Sequence, residues 1–152
     1  MKKNIYVDMD DVLCDYKAAF AKATEKNPAI KYPQSQCDFF RKLKPIEGGI
    51  ETVEFLRKQE IFEIYILTAP SVFNPFSYLE KRLWIEDHFG FEFTERLIIS
   101  PNKGLLKGDY LIDDITEGKG QEDFEGKLLH FGQEKYPNWK SILDYFKSTY
   151  SI

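Results

Sequence analysis

The chain has 152 residues, 43% hydrophobic and 30% charged, which excludes a collagen-like repeat and a disordered tail. Its 21 basic residues are outnumbered by 25 acidic ones, and the formal charge of −4 argues against a coat for nucleic acid polymers or an anionic membrane. Cys14 and Cys37 are too few for a disulfide scaffold, His88 and His130 have no metal-ligand spacing, and no apolar run reaches the ~18 residues of a membrane span. The start, Met1 to Val7, lacks the apolar stretch of a signal peptide, so the expectation is one cytoplasmic domain over residues 1–152.

In chain order, Ile5-Tyr6-Val7 reads as a first strand, stopped by Asp8. A helical segment follows over Asp15–Lys26, then a turn at Asn27-Pro28 and the aromatic pair Phe39-Phe40, with no strand pattern before Gly48-Gly49. An insertion at about residues 15–46, directly after the first strand, sits above the C-terminal edge of the sheet, where open α/β folds bind ligands. Ile50, Val53 and Leu56 then stripe a helix, and Ile61–Leu67 forms a second strand ending in Thr68-Ala69-Pro70. Residues 77–89 predict a helix carrying Leu79, Leu83, Ile85 and Phe89 as its apolar residues. Leu97–Ile99, Tyr110–Ile112 and Leu128–Phe131 read as three more strands. Trp139, Ile142, Leu143 and Phe146 define a last helix capped by Asn138. Continuous apolar strands alternating with helices predict an α/β fold, a Rossmann-like parallel sheet flanked by helices, with a small helical cap inserted after the first strand.

The polar residues at the strand ends converge on one edge: Asp8 and Asp10, Thr68, Lys103, and Asp113 with Asp114. Two carboxylates ~5 Å apart repel by roughly 3 kcal/mol at an effective dielectric near 20, so a cation must relieve the crowding. An all-oxygen set without Cys or His suits Mg²⁺. A cation beside a lysine and a threonine hydroxyl makes a phosphate site, where one carboxylate could attack phosphorus and another, two residues on, could shuttle a proton. Lys107 competes with Lys103 for the lysine role, and the ten-residue step from Lys103 to Asp113 favours Lys103.

The ordered set Asp8-Met9-Asp10-Asp11-Val12-Leu13, Leu67-Thr68-Ala69-Pro70, Asn102-Lys103 and Leu111-Ile112-Asp113-Asp114 resembles the haloacid dehalogenase superfamily of aspartate-nucleophile phosphatases. Within it the chain is most similar to the 5′(3′)-deoxyribonucleotidases, with Trp139-Lys140-Ser141-Ile142-Leu143 as a further match near the C-terminus. The resemblance implies Asp8 as nucleophile and Asp10 as general acid/base, with Thr68 and Lys103 holding phosphate. It implies Mg²⁺ bound by Asp8, the Asp10 carbonyl and Asp113, with Asp114 as an acidic residue just behind. The implied substrate is a nucleoside monophosphate, with Tyr16 at a base-packing position. Three features depart from the family pattern: Asp11 replaces a frequent Gly, Ala69 replaces a frequent Ser, and the insertion is shorter than the cap of the larger members.

The aromatics of the insertion, Tyr16, Phe20, Phe39 and Phe40, either contact the base or build a small core of the insertion itself; Cys14 reads as a small buried residue. A phosphorelay receiver would place its Thr and Lys after the lone acceptor Asp, an order this chain lacks. A nuclease would carry a basic stripe. A phosphatase for another small phosphomonoester and a non-catalytic nucleotide-binding module stay as alternatives, although the latter has no reason to keep both Asp8 and Asp10.

Overall fold

Five short apolar runs pair into one all-parallel sheet in the computed structural model, which describes residues 1–152. The strands are β1 (Lys3–Val7), β2 (Phe62–Thr68), β3 (Leu97–Ile99), β4 (Tyr110–Asp113) and β5 (Lys127–His130), ordered β3-β2-β1-β4-β5. The second strand begins at Phe62, since Ile61 stays exposed before it. Side chains alternate across the sheet as the pleat requires. Ile5, Val7, Ile64, Ile66 and Ile112 enter a core of 25 buried residues. That core also takes in residues of α2 (Gly49–Arg57), α3 (Phe76–Phe89) and α4 (Trp139–Tyr150). Tyr6, Leu67 and Leu111 point the other way and pack with Phe124, under irregular chain rather than a long helix.

The last helix follows its sequence pattern. Asn138 accepts from the Ser141 amide and the Ser141 hydroxyl closes a capping box, while Trp139, Ile142 and Phe146 are buried. Trp139 also donates its indole N–H to the Val12 carbonyl at 2.8 Å, fastening α4 beneath the turn after β1. Removing a ring such as Phe146 would cost about 3–5 kcal/mol.

The third helix departs from expectation. Leu79 is exposed, and the inward face of α3 is Ser77, Glu80, Lys81, Trp84, Ile85 and Phe89. Two charges occupy positions that an apolar-stripe reading assigns to solvent, because they have buried partners elsewhere in the fold. The insertion contains α1 (Tyr16–Lys26), none of whose residues is fully buried, and a 3₁₀ turn at Pro33–Ser35. Its two ends are hydrogen-bonded to each other: Asp15 N donates to Lys44 O at 2.9 Å and Ile46 N to Leu13 O at 2.8 Å. The result is a two-stranded neck over the C-terminal edge of β1.

Candidate active site

Parallel register brings the polar residues together. Val7 stands opposite both Ile66 and Ile112, so Asp8, Leu67 and Asp113 lie at one level and Thr68 one residue beyond. Asp8 N donates to Ile112 O at 2.9 Å, extending the ladder into the site. Immediately after β1 the chain turns back on itself, with the Met9 carbonyl accepting from the amides of Val12, Leu13 and Cys14. That turn requires a left-handed residue. Asp11 supplies it at φ +61°, a conformation Asp tolerates better than most side chains, so no glycine is needed there.

Two buried lysines divide the carboxylates between them. Lys103, on the 3₁₀ turn after β3, places Nζ 2.8 Å from Asp8 Oδ1 and 2.6 Å from Asp113 Oδ2. Lys107 is exposed, so Lys103 is the lysine that reaches the site. Lys81, from α3, donates to Asp10 Oδ2 at 2.8 Å and to Thr68 Oγ1 at 2.9 Å, and is fully buried. Sequence reading missed Lys81. On α3 read alone a charged residue marks the solvent face, and only the structure turns Lys81 inward with Ser77, Trp84 and Ile85. Asp113 is held further by the Ile115 amide at 3.1 Å and the Gln121 side-chain amide at 3.2 Å. Gln121 comes from the polar loop after β4. Gly120 in that loop has φ +82°, and a Cβ there would lie 2.0 Å from Asn102 Oδ1.

The charge balance is unequal. Asp8, Asp10, Asp11, Asp113 and Asp114 are met within ion-pair distance by only Lys17, Lys81 and Lys103. Asp8, Asp113 and Asp114 each offer an oxygen, and these oxygens lie within 4.8 Å of one another. Burial, with Asp113 and Asp10 nearby, pushes the Asp8 carboxyl up to about 7 against the opposing pull of Lys103. Burial and the neighbouring Asp113 and Asp11 also raise Asp114. Burial pulls Lys103 down, but Asp8 and Asp113 outweigh it and hold its ammonium above the usual lysine range. An oxygen-only set short of two positive charges fits a hard divalent cation.

Above these groups is a cavity of about 380 Å³. Asp8, Asp10, Lys103 and Asp114 line its charged side, and Tyr16, Phe40, Gln34 and Pro70 line the rest with others. Thr68 and Asp113 are fully buried and do not line it. Tyr16 and Phe40 are stacked with centroids 6.0 Å apart. Phe39 packs edge-on against both rings and lines the neighbouring groove instead of this cavity. Phe20 stacks on Tyr16, so the aromatic residues of the insertion form a small core of their own that shows two of its rings to the cavity. Cys14 is buried, its thiol raised by burial and by Asp10, and it approaches Asp10 Oδ1 at 3.7 Å.

Comparison with known proteins agrees with this architecture. Residues 19–135 match the model of the family described as 5′ nucleotidase, deoxy (pyrimidine), cytosolic type C. A relative from Vibrio phage KVP40, named as a 5′(3′)-deoxyribonucleotidase, is 38% identical over 97% of this chain and 86% of its own. The human cytosolic-type 5′(3′)-deoxyribonucleotidase is 27% identical over 91% of this chain and 78% of its own. Among solved structures, the HAD-hydrolase YfnB of Bacillus subtilis, crystallised bound to magnesium, shares the fold with a TM-score of 0.64 at 15% identity, covering 99% of both chains. No helix of the present structure is long and apolar enough to cross a membrane. Extended along nearly the whole sequence, these matches place the chain in the 5′(3′)-deoxyribonucleotidase family of phosphoric monoester hydrolases.

Proposed function

We propose that this chain hydrolyses nucleoside monophosphates, deoxy forms included, through a phosphorylated Asp8, with residues 15–46 acting as a cap on one catalytic domain. The observation that carries the reading is that Asp8 and Asp10, two residues apart, are each held by a different buried lysine. Lys103 grips Asp8 through Oδ1, orienting its carboxylate at the cavity for in-line attack on phosphorus. As the Asp8 oxygen bonds to phosphorus, the ester P–O bond breaks and Asp10 gives its proton to the departing alkoxide. Asp10 then takes a proton from water, the water oxygen attacks phosphorus, and the Asp8–phosphate bond breaks to release inorganic phosphate. Lys81 occupies Asp10 Oδ2, which leaves Oδ1, touched only by the Cys14 thiol, to carry the proton.

Asp8, Asp113 and Asp114 offer carboxylate oxygens for Mg²⁺, and the family resemblance adds the Asp10 carbonyl. The bound ion would neutralise phosphoryl oxygens as a Lewis acid. Lys103 supplies fixed positive charge at the phosphate end of the cavity, while Lys81, buried behind it, holds Asp10 and the Thr68 hydroxyl in place. Tyr16, half-buried and backed by the buried Phe40 ring, offers its ring to a base. Stacking of this kind is worth ~1–3 kcal/mol, enough to favour nucleotides over sugar phosphates of equal charge.

Phosphate release from a panel of nucleotides, sugar phosphates and p-nitrophenyl phosphate, with and without Mg²⁺, tests the reading. Asp8→Asn should abolish turnover and the acid-stable, hydroxylamine-sensitive phosphoprotein that the wild type accumulates. Tyr16→Ala should lower nucleotide turnover while sparing the aryl phosphate. Wild-type-like turnover by Asp8→Asn would sink the nucleophile assignment, and equal rates on sugar phosphates and nucleotides would remove the nucleotide assignment.

A further inference from the structure

Glu80 is 3% exposed and has no cationic partner, an expensive arrangement for a carboxylate. Both of its oxygens are nonetheless occupied. Oε1 accepts from the Asp38 amide at 2.6 Å and Oε2 from the Phe40 amide at 2.9 Å, across some forty residues of sequence. The turn at Asp38 has φ +66°, and the amides of residues 38 and 40 find no backbone acceptor, so without Glu80 both would be buried or strained without partners. The next residue of α3, Lys81, lies 4.9 Å from the centroid of the Phe40 ring while its ammonium holds Asp10 and Thr68. One turn further along, Trp84 donates its indole N–H to Leu43 O at 2.8 Å. One face of α3 therefore grips the returning half of the insertion and the proton-transferring carboxylate together.

We propose that Glu80 is a positioning residue for nucleotide selectivity: its carboxylate fixes the 38–40 turn so that the buried Phe40 ring backs Tyr16, which stands as a rigid wall at a set distance from the phosphate end. The inference rests on the nucleotidase reading above and adds to it the device that sets the wall. Cys37 and Asp38 approach the same carboxylate, but its two oxygens are already taken by amides. A base meets the wall while a small aryl phosphate needs only the charged side of the cavity. Loss of the clamp should therefore act on KM for nucleotides and leave the chemical step on the aryl phosphate intact.

The test is Glu80→Gln, which keeps the volume but turns one acceptor oxygen into a carboxamide NH₂ donor facing a backbone N–H. Steady-state kinetics should give roughly a tenfold fall in kcat/KM for a deoxynucleoside monophosphate, carried by KM, the size expected for one lost charge-assisted hydrogen bond. The change on p-nitrophenyl phosphate should be under about twofold, within the ordinary effect of a neutral change. Hydrogen exchange at the amides of residues 38 and 40 should quicken. Glu80→Asp, which keeps the charge on a shorter arm, should recover part of the KM, and it serves as the test variant if Glu80→Gln does not fold. Combining Glu80→Gln with Phe40→Leu should give less than the product of the single effects. Equal losses on both substrates, or a loss confined to kcat, would overturn the proposal, as would unchanged exchange at the two amides. If the wild type hydrolyses the aryl phosphate and no nucleotide, the substrate reading fails on its own, and amide exchange alone then upholds or overturns the clamp.

Discussion

Replacing Lys81 by Met separates the stability of the site from its chemistry. The ammonium lies 2.8 Å from Asp10 Oδ2, an attraction of roughly 6 kcal/mol at an effective dielectric of 20. Stripping water from a fully buried ammonium costs several kcal/mol and cancels most of that gain, whereas a thioether pays no such cost. Asp10 keeps 29% of its side chain in solvent, so it is not stranded when its partner goes. The Thr68 hydroxyl loses one hydrogen bond, worth about 1 kcal/mol. The net loss of stability should therefore be about 1–2 kcal/mol, or roughly 2–8 °C in melting temperature for a domain of this size. Catalysis should suffer far more. Asp10 would retain only the 3.7 Å thiol contact of Cys14, and Thr68 would be free to turn. A misplaced reacting group or lost fixed donor costs ~10²–10³ in rate, and the fall should be the same for nucleotides and p-nitrophenyl phosphate. Lys81→Arg should not rescue it, since a planar guanidinium does not fit a site shaped for a compact ammonium. Urea titration and phosphate-release kinetics on the same preparations make the comparison. A kcat/KM within about threefold of wild type, or an activity loss no larger than the loss of folded protein, would refute the reasoning.

Other perturbations follow from the same geometry. Mg²⁺ at 100 times its dissociation constant should stabilise the folded protein by ~2.7 kcal/mol, a rise in melting temperature that Asp113→Asn should remove; an unresponsive wild type would refute the cation site. Because Asp113 accepts from Lys103, Gln121 and the Ile115 amide, Asp113→Ala should cost about 3–5 kcal/mol even without metal, measured by urea denaturation, although it removes one of the crowded charges. At Asp11, φ +61° makes Asp11→Ala cost about 1–2 kcal/mol, while Asp11→Gly should be closer to neutral because it trades strain for the lost bond to the Lys17 amide; equal stability of Ala and Asp would contradict the turn. His88, packed at a tilt against Trp84, is held below its ordinary value of 6.5 by burial, against the pull of Asp87. The unfolded chain therefore takes up this proton first, so stability is whole above pH ~6.5 and declines as pH falls below it. His88→Phe should flatten that part of a melting-temperature profile between pH 5 and 8, and an unchanged slope would exclude His88 as its source.

The backbone of the site could be read without coordinates because a parallel sheet obeys a local rule. Each buried strand is a continuous apolar run, each run stops at its polar residue, and parallel register brings those stops to one edge. Ile5-Tyr6-Val7 before Asp8, Tyr65-Ile66-Leu67 before Thr68, and Leu111-Ile112 before Asp113 are therefore enough to gather three of the site's residues. Lys103 could be chosen over Lys107 by its spacing to Asp113, since both lie on one short connection. Glu80 and Lys81 could not be found this way. On a helix read alone, two adjacent charges mark the solvent face, and Leu79 beside them marks the core; the structure reverses both because Asp10, Thr68 and the amides of Asp38 and Phe40 wait on the inward side. Those partners come from distant parts of the chain and meet only when the insertion folds back over β1. Periodicity likewise cannot tell Phe39 from Phe40, because a turn at positive φ has no repeating face; tertiary packing alone sends one ring to the cavity and the other to the neighbouring groove. A strand's burial is decided by its own residues, but a buried charge is decided by the partner that neutralises it or hydrogen-bonds to it, and that partner is a property of the folded chain.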